Sequence, residues 1–179
     1  RDLTLPEEAF NAVHDYKEVH VVAWSFGVWV AQCVMMPLKD QIQSAIAING
    51  TFQPMSALYG IPEPIIMGTL SNLSERNLAK FQRRMMKNIE AWKQFEPVKP
   101  QRSLDEVENE LFLLTQHFQV GEMKEGFYDQ ALIGTDDRII PTANQKAFWA
   151  ERVPVKELEQ GHFCFFAFHS WDEVLTIKS

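Results

Sequence analysis

Residues 21–30, Val21-Val22-Ala23-Trp24-Ser25-Phe26-Gly27-Val28-Trp29-Val30, decide the fold. A single serine stands among residues that are otherwise apolar or glycine. Before it, "EVHVVAW" (18–24) is rich in β-branched residues and carries no charge after Glu18, which suits a strand buried on both faces. After it, "VWVAQCVMM" (28–36) stays apolar over a helix length until Pro37, which cannot continue a helix. "IQSAIAING" (42–50) is a second buried strand closed by the turn pair Asn49-Gly50. Strand, helix and strand within about thirty residues make a parallel βαβ unit. A serine at its first junction is either a buried hydroxyl tied to a neighbouring carbonyl or a nucleophile lifted clear of the sheet.

Working outward, Leu5, Phe10, Val13 and Tyr16 recur near helical spacing, which predicts a short amphipathic helix over 5–16. Residues 51–68 hold Pro54, Pro62 and Pro64 and read as a loop or hinge. A helix is predicted over 71–95 with Ser71 as its N-cap, and a second one opens on Ser103 with Glu106 three residues on, a capping box. "FYDQALIGTDDRIIP" (127–141) returns to strand, "TANQKAFWAER" (142–152) to helix and "VPVKELE" (153–159) to strand. A closing helix is predicted near 164–177. The fold expected is α/β: a mostly parallel sheet with helices on both faces, from residues 1–54 and 121–179, interrupted by a helical insertion over 55–120.

With 46% hydrophobic and 23% charged residues in 179, the chain has the profile of one globular domain. Its net charge of −7 argues against a general nucleic-acid binder. The start "RDLTLPEEAF" lacks the basic and apolar regions of a signal peptide, and no apolar run is long enough to span a membrane. Cys33 and Cys164 form no disulfide or metal framework and read as reduced core residues of a cytoplasmic protein. No metal or other cofactor is expected.

A serine hydroxyl is unreactive at neutral pH unless a base takes its proton and a carboxylate orients that base. "IGTDDRIIP" offers the carboxylate at a strand end, and "LEQGHF" offers His162 just after the last strand. The order Ser25, Asp, His162 is that of the α/β-hydrolases. Asp137, three residues after Gly134 and four before Pro141, has the spacing expected of the acid; Asp136 is the rival and reads as a turn residue. The elbow pattern in such enzymes is Gly-x-Ser-x-Gly, and here Ala23 takes the first position while Gly27 keeps the last, small neighbours that let strand and helix approach. Trp24, Phe26, Trp29, Phe163 and Phe165 flank the site in sequence; Trp29 and Phe165 read as core packing. His14, His20, His117 and His169 lie where a structural or solvated histidine is ordinary.

With those residues in hand, the chain resembles the BioG-type pimeloyl-[acyl-carrier protein] methyl ester esterases of bacterial biotin synthesis. The resemblance is carried by "VAWSFGVWVA", "AINGT", "YGIP", "GTLSNL", "KFQRR", "PTANQ" and "GHF…FHSW". It implies Ser25 as nucleophile, Asp137 as acid, His162 as base and the Phe26 backbone N–H as an oxyanion donor; Trp24, which flanks the site in sequence, is expected beside the substrate. It also implies strands ahead of those given, with a "GWG"-type loop supplying the second oxyanion donor. The implied substrate is the methyl ester of a pimeloyl chain on acyl carrier protein, and the insertion would be a lid. Lys80, Arg83, Arg84 and Lys87, in a segment that also holds Arg76, are spaced to share one helix face suited to docking an acidic carrier protein. Two other readings stay open: a different esterase or thioesterase, and a non-catalytic module that binds a carrier protein.

Overall fold

The computed structural model describes residues 7–118 and 126–177. Four parallel strands, β1 (His20–Trp24), β2 (Ser44–Ile48), β3 (Gln130–Gly134) and β4 (Val155–Leu158), lie side by side in chain order. Val22 is level with Ile46, Ile48 with Leu132, and Gly134 with Leu158, so the C-terminal ends of all four strands form one edge. Alternation along the strands builds two cores. Val21, Ala23, Ala45, Ala47, Ala131 and Ile133 face one side, where helix α2 (Phe26–Met35) and helix α7 (Thr142–Trp149) supply Val28, Phe148 and Trp149. The alanines matter because they let these bulky side chains seat directly on the sheet. Ile46, Ile48 and Leu132 face the other side, against Cys164 and Val174, the latter from α8 (Trp171–Thr176). Phe148 is fully buried, and its truncation to alanine would cost about 3–5 kcal/mol.

The βαβ unit over 18–50 is as the sequence predicts, with α2 ending at Met35 before Pro37 enters a short 3₁₀ segment. The amino-terminal helix is α1 (Glu7–Asp15); residues 5 and 6 of the predicted span lie outside the described residues. The segment between β2 and β3 differs more. The expected loop over 51–68 already turns helical at Glu63, beginning α3 (Glu63–Ser71). Pro62 sits at its N-cap and Pro64 in its first turn, where a missing N–H costs nothing. Ser71 therefore ends α3 rather than capping the next helix. The single helix expected over 71–95 is two, α4 (Glu75–Met85) and α5 (Ile89–Phe95). Ser74 and Asn88 cap them, accepting from the N–H groups of Asn77 and Ala91, and these short polar side chains supply the satisfaction an unbroken helix would have provided. Helix α6 (Leu104–His117) opens with the expected reciprocal capping box of Ser103 and Glu106. The carboxy-terminal helix is shorter than expected: a 3₁₀ turn over Phe165–Ala167 precedes α8.

A third apolar cluster joins these helices to the strand ends. Ile66, Met85, Met86, Trp92 and Phe95 pack on Ile139 and Ile140, with Trp24, Phe26 and Phe163 at their margin. Helices α3 to α5 thus rest on the C-terminal edge of the sheet, where the candidate residues collect. Cys164 is buried as expected, whereas Cys33, on α2, is exposed among the described residues rather than a core residue.

Candidate active site

The site begins with a backbone contortion. Ser25 has φ 58° and ψ −129°, one of two positive-φ non-glycine residues described. That region is sparsely populated for an L-residue and persists only where surroundings hold it. Two contacts hold it here. The Ser25 N–H donates to the Ile48 carbonyl at 2.9 Å, and its own carbonyl accepts from Val28 at 3.1 Å. Gly50 packs against the same turn, since a Cβ there would lie 2.3 Å from the Ser25 carbonyl oxygen. Gly27, expected to allow close approach, has no such neighbour among the described residues, so the glycine that the elbow requires is Gly50.

His162 follows β4 in a loop that carries it to the elbow. Its Nε2 lies 2.9 Å from Ser25 Oγ, and its Nδ1 lies 2.8 Å from Asp137 Oδ2. His162 is 1% exposed and Asp137 8%, so both work away from bulk water. Asp137 Oδ1 accepts from the N–H groups of Ile139 and Ile140 at 2.8 and 3.0 Å, while Oδ2 also accepts from Gln145 Nε2 at 2.8 Å. Because every one of these partners is a donor, the carboxyl group is placed to accept only. Nδ1 of His162 therefore carries its proton toward Asp137, and Nε2 is left to accept from the serine hydroxyl. Asp136 points elsewhere, its carboxylate paired with Arg138 at 2.9 Å on the surface.

Phe26 opens α2 directly after Ser25, so its N–H belongs to the first turn, which has no intrahelical acceptor. Trp24 reaches the site differently from expectation. Its indole N–H donates to the His162 carbonyl at 2.8 Å, and its ring packs 5.1 Å from the imidazole. Its polar atom is thus spent on the loop that carries His162. Phe163 joins Trp24 to Phe95, Phe165 packs on Trp24 and Trp171, and Trp29 is buried against Phe118. Cys164, two residues from His162, is a poor candidate nucleophile: burial pushes its thiol up to about 12. Of the remaining histidines, His20 bonds Ser44, His14 and His117 lie in α1 and α6, and His169 lies before α8 rather than within it. Among the described residues no group of three or more histidine, cysteine, aspartate or glutamate side chains could hold a metal. Nor is any described helix long and apolar enough to cross a membrane.

Two residues that sequence reasoning passed over hold this arrangement. Asn49, read only as a turn residue, is 1% exposed with φ 47°. Its Nδ2 donates to the His162 and Gly161 carbonyls at 2.7 and 3.2 Å, and its Oδ1 accepts from the Gly134 N–H at 2.6 Å. One amide thereby ties the end of β2 to the end of β3, ahead of Asp137, and to the loop that carries His162. Gln145 is fully buried on α7, and its Nε2 spans Asp137 Oδ2 and the Ile140 carbonyl. Reversing that amide would set an oxygen against two acceptors, so only one orientation fits. Both residues fall in blocks that carry the resemblance, "AINGT" and "PTANQ", but nothing local marks them as more than a turn and a helix residue.

The four candidate docking cations do not share one face. Lys80, Arg83 and Arg84 are exposed on α4, but that helix ends at Met85 and the backbone turns extended at Met86, placing Lys87 outside it. The Arg83 guanidinium stacks over Trp92 of α5 at 5.0 Å.

A parallel sheet covered by helices on both faces, with a positive-φ serine at its first strand end and helices resting on that edge, defines an α/β-hydrolase-type protein. A monoacylglycerol lipase from Paleococcus ferrophilus shares this fold, with TM-score 0.56 and 14% identity over 94% of this chain and 69% of that one. More specifically, residues 2–174 match the family described as "Pimeloyl-ACP methyl esterase BioG", and the chain belongs to that family. The crystal structure of BioG from Haemophilus influenzae superposes with TM-score 0.83 at 34% identity, covering 96% of this chain and 77% of that one. A Bacteroides fragilis protein named malonyl-[acyl-carrier protein] O-methyltransferase is 38% identical over 134 residues, 75% of this chain and 27% of that protein.

Proposed function

We propose that this chain is a serine carboxylester hydrolase whose substrate is the methyl ester of a pimeloyl chain carried on acyl carrier protein. The observation that carries the reading is the continuous Ser25–His162–Asp137 hydrogen-bond chain, set in a family named for that reaction. In this mechanism His162 Nε2 takes the Ser25 proton as Oγ attacks the ester carbonyl carbon. Charge developing on the carbonyl oxygen is met by the Phe26 N–H at the positive end of α2. The tetrahedral species collapses as imidazolium returns the proton to the leaving methoxide, releasing methanol. Water, activated by the same imidazole, then hydrolyses the acyl-enzyme and frees the distal carboxylate. Asp137 holds the tautomer and stabilises the imidazolium throughout. No cofactor enters these steps.

Helices α3 to α6 act as the lid in this reading, and Lys80 and Arg83, exposed on α4, are the docking cations that steer an acidic carrier. The test is methanol release from pimeloyl-acyl carrier protein methyl ester, run beside short nitrophenyl esters. Turnover of the carrier-bound ester with higher kcat/KM than the small esters, abolished by Ser25→Ala, is the expected result. Preference for a thioester, or hydrolysis of small esters only, would move the chain to another esterase class. Carrier binding without hydrolysis of either would make it a binding module.

A further inference from the structure

Helix α4 was singled out by its cations, yet its carboxy-terminal end is bound to the catalytic loops by contacts that docking does not explain. Arg84 Nη2 donates to the Arg138 carbonyl at 2.7 Å. That carbonyl belongs to the same peptide group as the Ile139 N–H, which donates to Asp137 Oδ1 at 2.8 Å. A cation on the oxygen of a peptide polarises its N–H and fixes the plane in which that N–H points. Arg84 and Asp137 are therefore linked through one shared peptide.

One residue on, the Met85 carbonyl accepts from the Phe163 N–H at 2.9 Å, which pairs a helix-end carbonyl with the residue after the base. Lys87 Nζ donates to the Glu159 carbonyl, three residues before His162. Between them Gly161 presses on the same turn: a Cβ there would sit 2.8 Å from both the Lys87 nitrogen and the Met85 oxygen. Met85 and Met86 are buried, so this turn is fixed in the third apolar cluster.

We infer that the carboxy-terminal end of α4 positions the triad, with Arg84 a positioning residue for Asp137 and the Met85–Lys87 turn a brace for the His162 loop. The inference rests on the triad proposed above and assigns Arg84 and Lys87 a task other than carrier docking. It makes the helical segment between β2 and β3 part of the catalytic geometry even for a substrate that has no carrier.

The experiment uses a fluorophosphonate, which reacts with an activated serine and needs neither ester specificity nor carrier protein. Arg84→Met should slow labelling of Ser25 by about three- to tenfold and lower kcat on a small nitrophenyl ester by the same factor, with KM little changed. Arg84→Lys, which keeps a charged donor, should recover most of the rate, and Lys87→Met should show a smaller loss. Arg76→Met, on the first turn of the same helix, should label like wild type. Thermal melts accompany each variant, and the Arg84→Lys rescue separates positioning from a general loss of fold. Labelling of Arg84→Met at the wild-type rate overturns the inference. A wild-type chain that the probe does not label removes the triad reading itself, and a labelled chain with no esterase substrate removes only the proposed substrate.

Discussion

Asp137 and Arg83 are both charged, and both stand beside an aromatic-rich part of the molecule, but their surroundings are opposite. Asp137 is buried with four donors on its two oxygens, at 2.8–3.0 Å. Arg83 is exposed, and its described contact is the face of Trp92. The strand-end site has almost no slack: its loops are tied together by hydrogen bonds from the side chains of Asn49, Gln145 and Trp24. The outer face of α4 is a solvated surface whose side chains can move. Removing a group from the first region leaves buried partners unpaired, whereas removing one from the second lets water replace it. Effects should therefore be large and independent of salt at the strand ends, and small and salt-dependent on α4.

The strongest way to break that contrast is at Ser25. Ser25→Ala should lower ester hydrolysis by about 10⁴-fold or more, with a melting temperature at or above wild type. The alanine removes the atom proposed to react and no packing volume of note. Residual activity within about tenfold of wild type would mean that the hydroxyl is structural and that the bent backbone serves packing.

The two adjacent aspartates sharpen it next. Asp137→Asn should reduce kcat by about 10³-fold or more, because the amide N–H₂ would face Nδ1 and favour the wrong imidazole tautomer. Asp136→Asn should stay within about twofold, since it weakens only an exposed pair with Arg138. The reverse ranking in a kcat comparison would transfer the acid's role to Asp136.

Asn49 tests rigidity rather than chemistry. Asn49→Ala strands the Gly134 N–H and the Gly161 carbonyl, leaves the His162 carbonyl only its bond from Trp24, and keeps a side chain at a φ of 47° that alanine disfavours. A loss of about 2–4 kcal/mol in urea unfolding is expected, with Asn49→Gly milder because glycine tolerates that φ. Equal stability of Asn49→Ala and wild type would show that the loops hold without the tie.

How far the sequence could be read follows the same division. The βαβ unit was legible because β-branched runs, Pro37 and the Asn49-Gly50 pair are strong local signals. Ser25 and His162 could be placed because each lies next to a strand whose end was already clear. The sequence predicts one helix where α4 and α5 stand because the cap at Asn88 lies in "MKNIEAW", where the apolar spacing runs through without a break. The local pattern points to Gly27 where the structure uses Gly50, because close approach depends on what crosses the elbow from β2, which no local pattern encodes. Asn49 and Gln145 escaped for that reason too: their partners lie 85 to 113 residues away for the first and inside a loop of unknown path for the second. Spacing from Lys80 predicts Lys87 on the same helix face, and the early end of α4 at Met85 places it outside the helix.

The smallest expected effect lies on the outer face of α4. If Lys80 and Arg83 dock the carrier, Lys80→Glu with Arg83→Glu should lower kcat/KM on the carrier-bound ester by about three- to tenfold at low salt. Hydrolysis of a small free ester should change little, because neither side chain bonds an acid- or base-loop residue among the described contacts. The physical basis is encounter: attraction between a basic face and an acidic partner raises the association rate and is screened within a Debye length of about 8–10 Å. Wild-type activity on the carrier substrate should therefore fall as ionic strength rises, and the double variant should show a flatter dependence. Arg83 also stacks on Trp92, so its reversal could disturb the packing of α4 on α5; a matching loss on both substrates would report that. Lys80→Glu alone avoids the stacked residue and should still flatten the salt dependence. If neither variant changes the carrier reaction at any salt concentration, the cations of α4 are a solvated helix face and the carrier docks elsewhere.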